Sequence, residues 1–195
     1  SFAMLPPLLV SMYYNDGVAY SFLTTFFLTL LSGFILWAPV MKNRRELKTR
    51  DGFLVVTLFW TVLGTFGSFP FIFTSSLQMS VTDSFFESIS GLTTTGATVL
   101  SGLDDLPKSI LYYRQQLQWL GGMGIIAIAV AILPMLGIGG MQLYRAESPG
   151  PVKDNKLLPR VTETAKALLF IYISLTMLCA IAYFLAGMTI FDAIG

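Results

Sequence analysis

Polar and apolar positions in this chain separate at the scale of whole segments. Val18 to Val40, Gly52 to Ser75, Leu117 to Leu136 and Ala167 to Gly187 carry no charged residue. Each is close to the roughly 20 helical residues that cross a hydrocarbon core of about 30 Å. Ser1 to Tyr14 is also apolar, with Pro6 and Pro7 inside it, and ends at the turn signal Asn15-Asp16-Gly17. It lacks the basic flank of a signal peptide and reads as the tail of a spanning helix whose beginning is missing. The pattern predicts an all-α polytopic membrane protein.

One stretch breaks the pattern. Ser80-Val81-Thr82-Asp83 reads as a helix start, with Asp83 or Thr82 capping the free N–H groups, worth about 1 kcal/mol. The helix it opens, 82–92, gives roughly 15 Å of rise, half a membrane, so it is expected to re-enter instead of spanning. Leu92 to Val99 follows, Leu-Thr-Thr-Thr-Gly-Ala-Thr-Val. β-Branched threonines resist helix, and Gly96 lets carbonyls turn toward a common axis. Such a run can replace a cation's water with backbone oxygens, aided by the negative carboxyl end of the half-helix. It can equally be a plain Ser/Thr/Gly loop. Beyond the turn 101–107, a helix is expected over 109–136. Its Gly121, Gly122 and Gly124 either pack closely or face a pore.

Composition agrees with the segment pattern: 54% of residues are hydrophobic and 12% charged, against about 25% charged in soluble domains. Mean hydropathy is +0.71. Histidine is absent and Cys179 stands alone, leaving no disulfide framework or His/Cys metal site. A net charge of +1 gives no reason to expect a nucleic-acid partner. Distribution says more than the sum. Lys42 to Arg50 and Met141 to Lys166 hold ten of the twelve Lys and Arg residues, which marks both as cytoplasmic. The outer segments hold Lys108 and Arg114 against Asp16, Asp83, Glu87, Asp104, Asp105 and Asp192, an acidic face able to raise local cation concentration.

An internal repeat favours the ion-binding reading. Met79-Ser80-Val81-Thr82-Asp83-Ser84-Phe85 matches Met188-Thr189-Ile190-Phe191-Asp192-Ala193-Ile194 at an offset of 109. The unit is helix, half-helix, filter, helix, and further copies are needed to surround an ion.

These residues resemble the Trk/Ktr/HKT potassium transporters, most closely the bacterial TrkH-type potassium uptake subunit. The most specific parts are Asp83 to Val99, Gln118 to Gly124 and Gly139 to Glu147. The resemblance implies four pore repeats of potassium-channel type in one chain, of which this sequence would be a truncated part. Residues 1–51 would be an extra transmembrane pair and basic loop. Residues 52–140 would be the first repeat, with its first helix at 52–77, pore helix 82–92, filter 93–98 and second helix 109–136. The linker 141–164 and the start of a second repeat, 165–195, would follow. It further implies a homodimer and a cytosolic TrkA-type nucleotide-binding regulatory subunit.

The expected function is potassium uptake across a bacterial inner membrane, driven by the membrane potential, without an organic cofactor or enzymatic activity. K⁺ would meet the carbonyls of Thr94, Thr95, Gly96 and Ala97. The hydroxyls of Thr93 to Thr95 would add oxygens or bond the pore helix. Loops 41–51 and 141–164 would be cytoplasmic and 78–108 periplasmic. A sodium-selective or sodium-coupled member of the same family is the near alternative. A membrane-embedded hydrolase using Asp83 or Asp104 is the remote one, lacking any histidine base.

Overall fold

The computed structural model describes residues 1–39, 49–132 and 157–194, in which every regular element is a helix and no strand occurs. A 3-10 turn, Phe2–Met4, leads into α1, Leu5–Tyr14, with its prolines in the first turn where a missing N–H costs nothing. Asn15 takes a left-handed conformation and ends α1. Then come α2, Ala19–Trp37, and α3, Thr49–Phe73. After a 3-10 turn at Ser75–Leu77, α4 runs over Val81–Leu92. Next come a 3-10 turn at Leu103–Asp105 and α5, Lys108–Ile132. The last helices are α6, Leu157–Leu185, and α7, Ile190–Ile194.

Among the described residues, Ala19–Trp37, Val56–Phe73 and Glu163–Leu185 are long and apolar enough to cross a membrane. α4, at 12 residues, is not. The end of the expected helix 109–136 and the basic segments around Arg45 and Arg145 lie outside the described residues. Pro70 sits inside α3, which continues to Phe73, and the Thr74 hydroxyl donates to the Pro70 carbonyl at 2.7 Å.

The described residues divide into two compact units, one drawn from 1–39 and 57–122, the other from 49–56, 123–132 and 157–194. The first has a core of Val18, Phe22, Phe71, Leu92, Ile110, Tyr113 and Leu117. Tyr113 is its centre, with ring centroids 5.5 Å from Phe22 and 5.3 Å from Phe71. Its buried hydroxyl donates to the Gly67 carbonyl at 2.9 Å, which satisfies the polar atom that burial would otherwise penalise. A side chain on Gly67 would run into the Ser88 hydroxyl, and one on Gly64 into Ile89. These two glycines of α3 therefore let α4 lie against it.

Asp16 ties the α1–α2 turn to α5. Its carboxylate accepts from the Ser11 hydroxyl, from Val18 N–H at 3.2 Å and from Ser109 N–H at 3.0 Å. The last of these caps the start of α5 from 93 residues away. Partial burial pushes the carboxyl upward, but the hydrogen bonds from Ser109, Ser11 and Val18 outweigh it, and the pKa falls below its usual value. Gln116 adds a second tie, its Nε2 donating to the Ala3 carbonyl at 2.9 Å.

In the second unit, α6 ends in a left-handed Gly187 at φ 97°. Gly187 N–H donates to Phe184 and Met188 N–H to Tyr183, the paired bonds of a Schellman cap. Thr189 then opens α7, its hydroxyl accepting from Asp192 N–H at 3.2 Å and donating to the Asp192 carboxylate at 2.6 Å.

Candidate functional site

The start of α4 repeats that last arrangement. Ser80, in extended conformation, is the N-cap, and its hydroxyl accepts from Asp83 N–H at 3.1 Å. Asp83 returns a carboxylate to the Ser80 hydroxyl at 2.7 Å. The cap is therefore Ser80, not the expected Asp83 or Thr82, because only Ser80 has the non-helical backbone that brings its oxygen to the third helical N–H. Ser80/Asp83 and Thr189/Asp192 stand 109 positions apart, so the sequence repeat is also a repeat of hydrogen bonding.

The far end of α4 makes the site. Thr94 N–H donates to the Gly91 carbonyl at 2.9 Å and Thr95 N–H to Ser90 at 3.0 Å, again a Schellman cap. The left-handed position that Gly187 fills at the end of α6 is here Thr94, at φ 58°. A β-branched residue in that region costs about 1–2 kcal/mol more than glycine. Such strain persists where the surroundings impose it, characteristically at functional positions. Two residues on, Gly96 is left-handed at φ 74°, and a Cβ placed there would meet nothing within 4 Å. The glycine is needed for its backbone conformation and not for room.

The polar groups of 93–99 divide cleanly. Thr93 hydroxyl donates to the Ile89 carbonyl at 2.8 Å and pairs with Thr95 hydroxyl at 2.8 Å, and Thr94 hydroxyl donates to the Thr93 carbonyl at 2.7 Å. The Ala97 carbonyl accepts from the Ser90 hydroxyl at 2.6 Å. Thr98 hydroxyl and Val99 N–H bond the carboxylate of Glu87. Among the described residues, the carbonyls of Thr94, Thr95 and Gly96 accept no hydrogen bond. The run 93–99 is exposed. No three His, Cys, Asp or Glu side chains gather among the described residues, and the oxygens left unbonded at Thr94, Thr95 and Gly96 are backbone carbonyls.

Glu87 and Ser90 were missed in the sequence reading. The sequence groups Glu87 with an acidic outer face, yet it is buried at 3% exposure and paired with Arg114 at 2.5 Å. It is no part of a solvated acidic surface, and Asp16 is likewise engaged in the core of its turn. Gly121 is buried against the backbone of Leu92, where a Cβ would clash with the carbonyl group. Its role is close approach of α5 to the end of α4. Gly122 and Gly124 are half-buried on the same helix.

The chain matches the TrkH family model, described as a cation transport protein, over residues 19–192. It is 64% identical over its whole length to the Trk system potassium uptake protein TrkH of Vibrio parahaemolyticus, covering 40% of that protein. It is 62% identical over 98% of its length to TrkH of Escherichia coli (strain K12), again covering 40%. The crystal structure of the potassium transporter TrkH from Vibrio parahaemolyticus superposes with a TM-score of 0.81 at 58% identity, over 99% of this chain and 38% of that one. The chain thus spans about 40% of the length of the curated relatives it matches.

Proposed function

The chain belongs to the TrkH family of cation transport proteins, and on that premise we propose that it forms part of the pore of a potassium uptake subunit. Residues 93–98 are the filter of its first pore repeat. The carbonyls of Thr94, Thr95 and Gly96 take the place of water around K⁺, and Ala97, one lone pair of which is held by Ser90, closes the set. The observation that carries this reading is that these three consecutive carbonyls are left unbonded by a backbone strained at Thr94. The names of the relatives, potassium uptake proteins of a Trk system, support K⁺ as the cargo and transport instead of enzymatic chemistry. They also support a multi-component assembly, which we read as a homodimer with a TrkA-type cytosolic subunit. The apolar helices support an integral membrane protein. We assign it to the bacterial inner membrane, with 41–51 and 141–164 cytoplasmic, 78–108 periplasmic and the membrane potential as driving force. That potential is worth about 2.3 kcal/mol per charge per 100 mV.

The test is Gly96→Ser in the complete subunit, reconstituted in liposomes, with the K⁺/Na⁺ flux ratio as readout. A Cβ at φ 74° costs about 1–2 kcal/mol of strain, which, if borne by one ion's complex and not the other's, changes the ratio by roughly five- to thirtyfold. The protein should still insert and assemble, since nothing stands near the new atom. Gly67→Ser meets Ser88 instead and should reduce the amount of folded protein without altering the ratio. A normal ratio in Gly96→Ser at normal protein levels refutes the filter assignment.

A further inference from the structure

Glu87 is the buried carboxylate that the transport reading leaves unexplained. It lies mid-way along α4 at 3% exposure, where an ionised group is costly unless several donors meet it. The donors come from two places. Arg114 on α5 donates its Nε–H to one carboxylate oxygen at 2.5 Å. The remainder come from the segment just past the unbonded carbonyls: Thr98 hydroxyl lies 3.0 Å from each carboxylate oxygen and Val99 N–H 3.2 Å from one. One turn along the same face of α4, Ser90 holds the Ala97 carbonyl at 2.6 Å. Glu87 and Ser90 thus form a row that grips residues 97–99, while the end of α4 grips Thr94 and Thr95. The unbonded carbonyls at 94–96 are strung between these two anchors.

We infer that Glu87, held by Arg114, is a positioning residue that fixes the Thr98–Val99 end of the filter and through it the discrimination between K⁺ and Na⁺. This rests on the reading of 93–98 as a filter. A carboxylate suits the role because it only accepts, and here all its neighbours are donors. An amide of the same size would turn an NH₂ group toward Arg114, Thr98 or Val99 and lose at least one anchor. Arg114 supplies a planar cation that orients the carboxylate and balances its charge. A paired charge of this kind acts by fixing geometry, whereas a bare one would act by concentrating cations at long range.

The experiment measures the K⁺/Na⁺ flux ratio of the complete subunit in liposomes, with folded yield followed by size-exclusion chromatography. Glu87→Gln and Arg114→Gln are expected to lower the ratio by roughly tenfold, the loss of a charge-assisted hydrogen bond. Thr98→Val removes one donor at nearly constant volume and leaves every helix untouched. It should shift the ratio in the same direction by less, and it decides the matter if either charge variant fails to fold. Unchanged ratios in these variants, alongside an altered ratio in Gly96→Ser, overturn the role of Glu87 and leave the filter standing. Unchanged ratios in all, Gly96→Ser included, overturn the filter reading and this inference with it. Slower uptake at an unchanged ratio, with the deficit vanishing at high salt, marks Glu87 as a long-range attractor and also overturns the inference.

Discussion

Adding one methyl group at Gly121 tests how tightly α5 closes on the end of α4. A Cβ there would stand 3.1 Å from Leu92 Cα and 2.7 Å from its carbonyl carbon, with the oxygen nearer still. Ordinary carbon contacts lie at about 3.5–4.0 Å, so one backbone must move by about 1 Å. No rotamer change can relieve the clash, because all three atoms belong to the main chain. Overpacking of this kind costs about 1–3 kcal/mol, offset by up to about 1 kcal/mol from the better helix propensity of alanine. Gly33→Ala on α2 makes the same chemical change with nothing within 4 Å, so only the propensity gain remains. Gly64→Ala should fall between them, since its obstacle is the tip of the Ile89 side chain, which can turn away. The assay is the temperature at which the complete subunit loses its monodisperse peak in detergent. Gly121→Ala should melt several degrees below the parent and Gly33→Ala at or above it. Equal melting of the two would mean that α5 does not approach Leu92 this closely, and would refute the reasoning.

Two further outcomes follow from hydrogen bonds outside the proposed filter. The Asp16 carboxyl has a folded pKa below its ordinary 3.8, so its stabilising effect is complete above about pH 4 and is lost as pH falls through the lowered value. Asp16→Asn should accordingly melt below the parent at pH 7, with the gap closing on acidification below about pH 4; a gap constant over that range would exclude the carboxylate as the tie to α5. Ser80→Ala should cost about 1 kcal/mol of stability as the lost cap of α4, whereas Thr82→Ala costs little. Circular dichroism melts of the two variants compare them directly, and a larger loss at Thr82 would contradict the observed cap.

Segment length and charge placement made the helical architecture readable, because a lipid core imposes nearly the same span on every crossing helix. The half-helix was legible for the same reason: the distance from Ser80 to Leu92 is too short to cross. Its cap was not, since Ser80, Thr82 and Asp83 have the same capping chemistry and only backbone conformation separates them. Gly96 was legible as a position where glycine matters, though the sequence does not separate a need for positive φ from a need for room, while the strain at Thr94 was not, because threonine gives no sign of a left-handed backbone. Glu87 looked like one more outer acid. Its partner Arg114 is 27 positions away and Thr98 is 11, and no helical periodicity links them. Asp16 was read as a turn residue, and its bond to Ser109 depends on the packing of α5 that no local signal encodes.

The Schellman cap that joins α4 to Thr94 and Thr95 has a consequence for how this site can fluctuate. The amides of the proposed ion path are the last rungs of the helical ladder, so the two cannot melt independently. Fraying the final turn of α4 releases the Ser90 and Gly91 carbonyls and frees the Thr94 and Thr95 amides in the same event. The opening free energy of those amides is then inherited from the helix. Amide exchange at Thr94 and Thr95 should rise and fall together, and, with 93–98 as the proposed filter, a substitution that loosens the carboxyl end of α4, however remote from any ion, becomes a change in the sharpness with which ions are sorted.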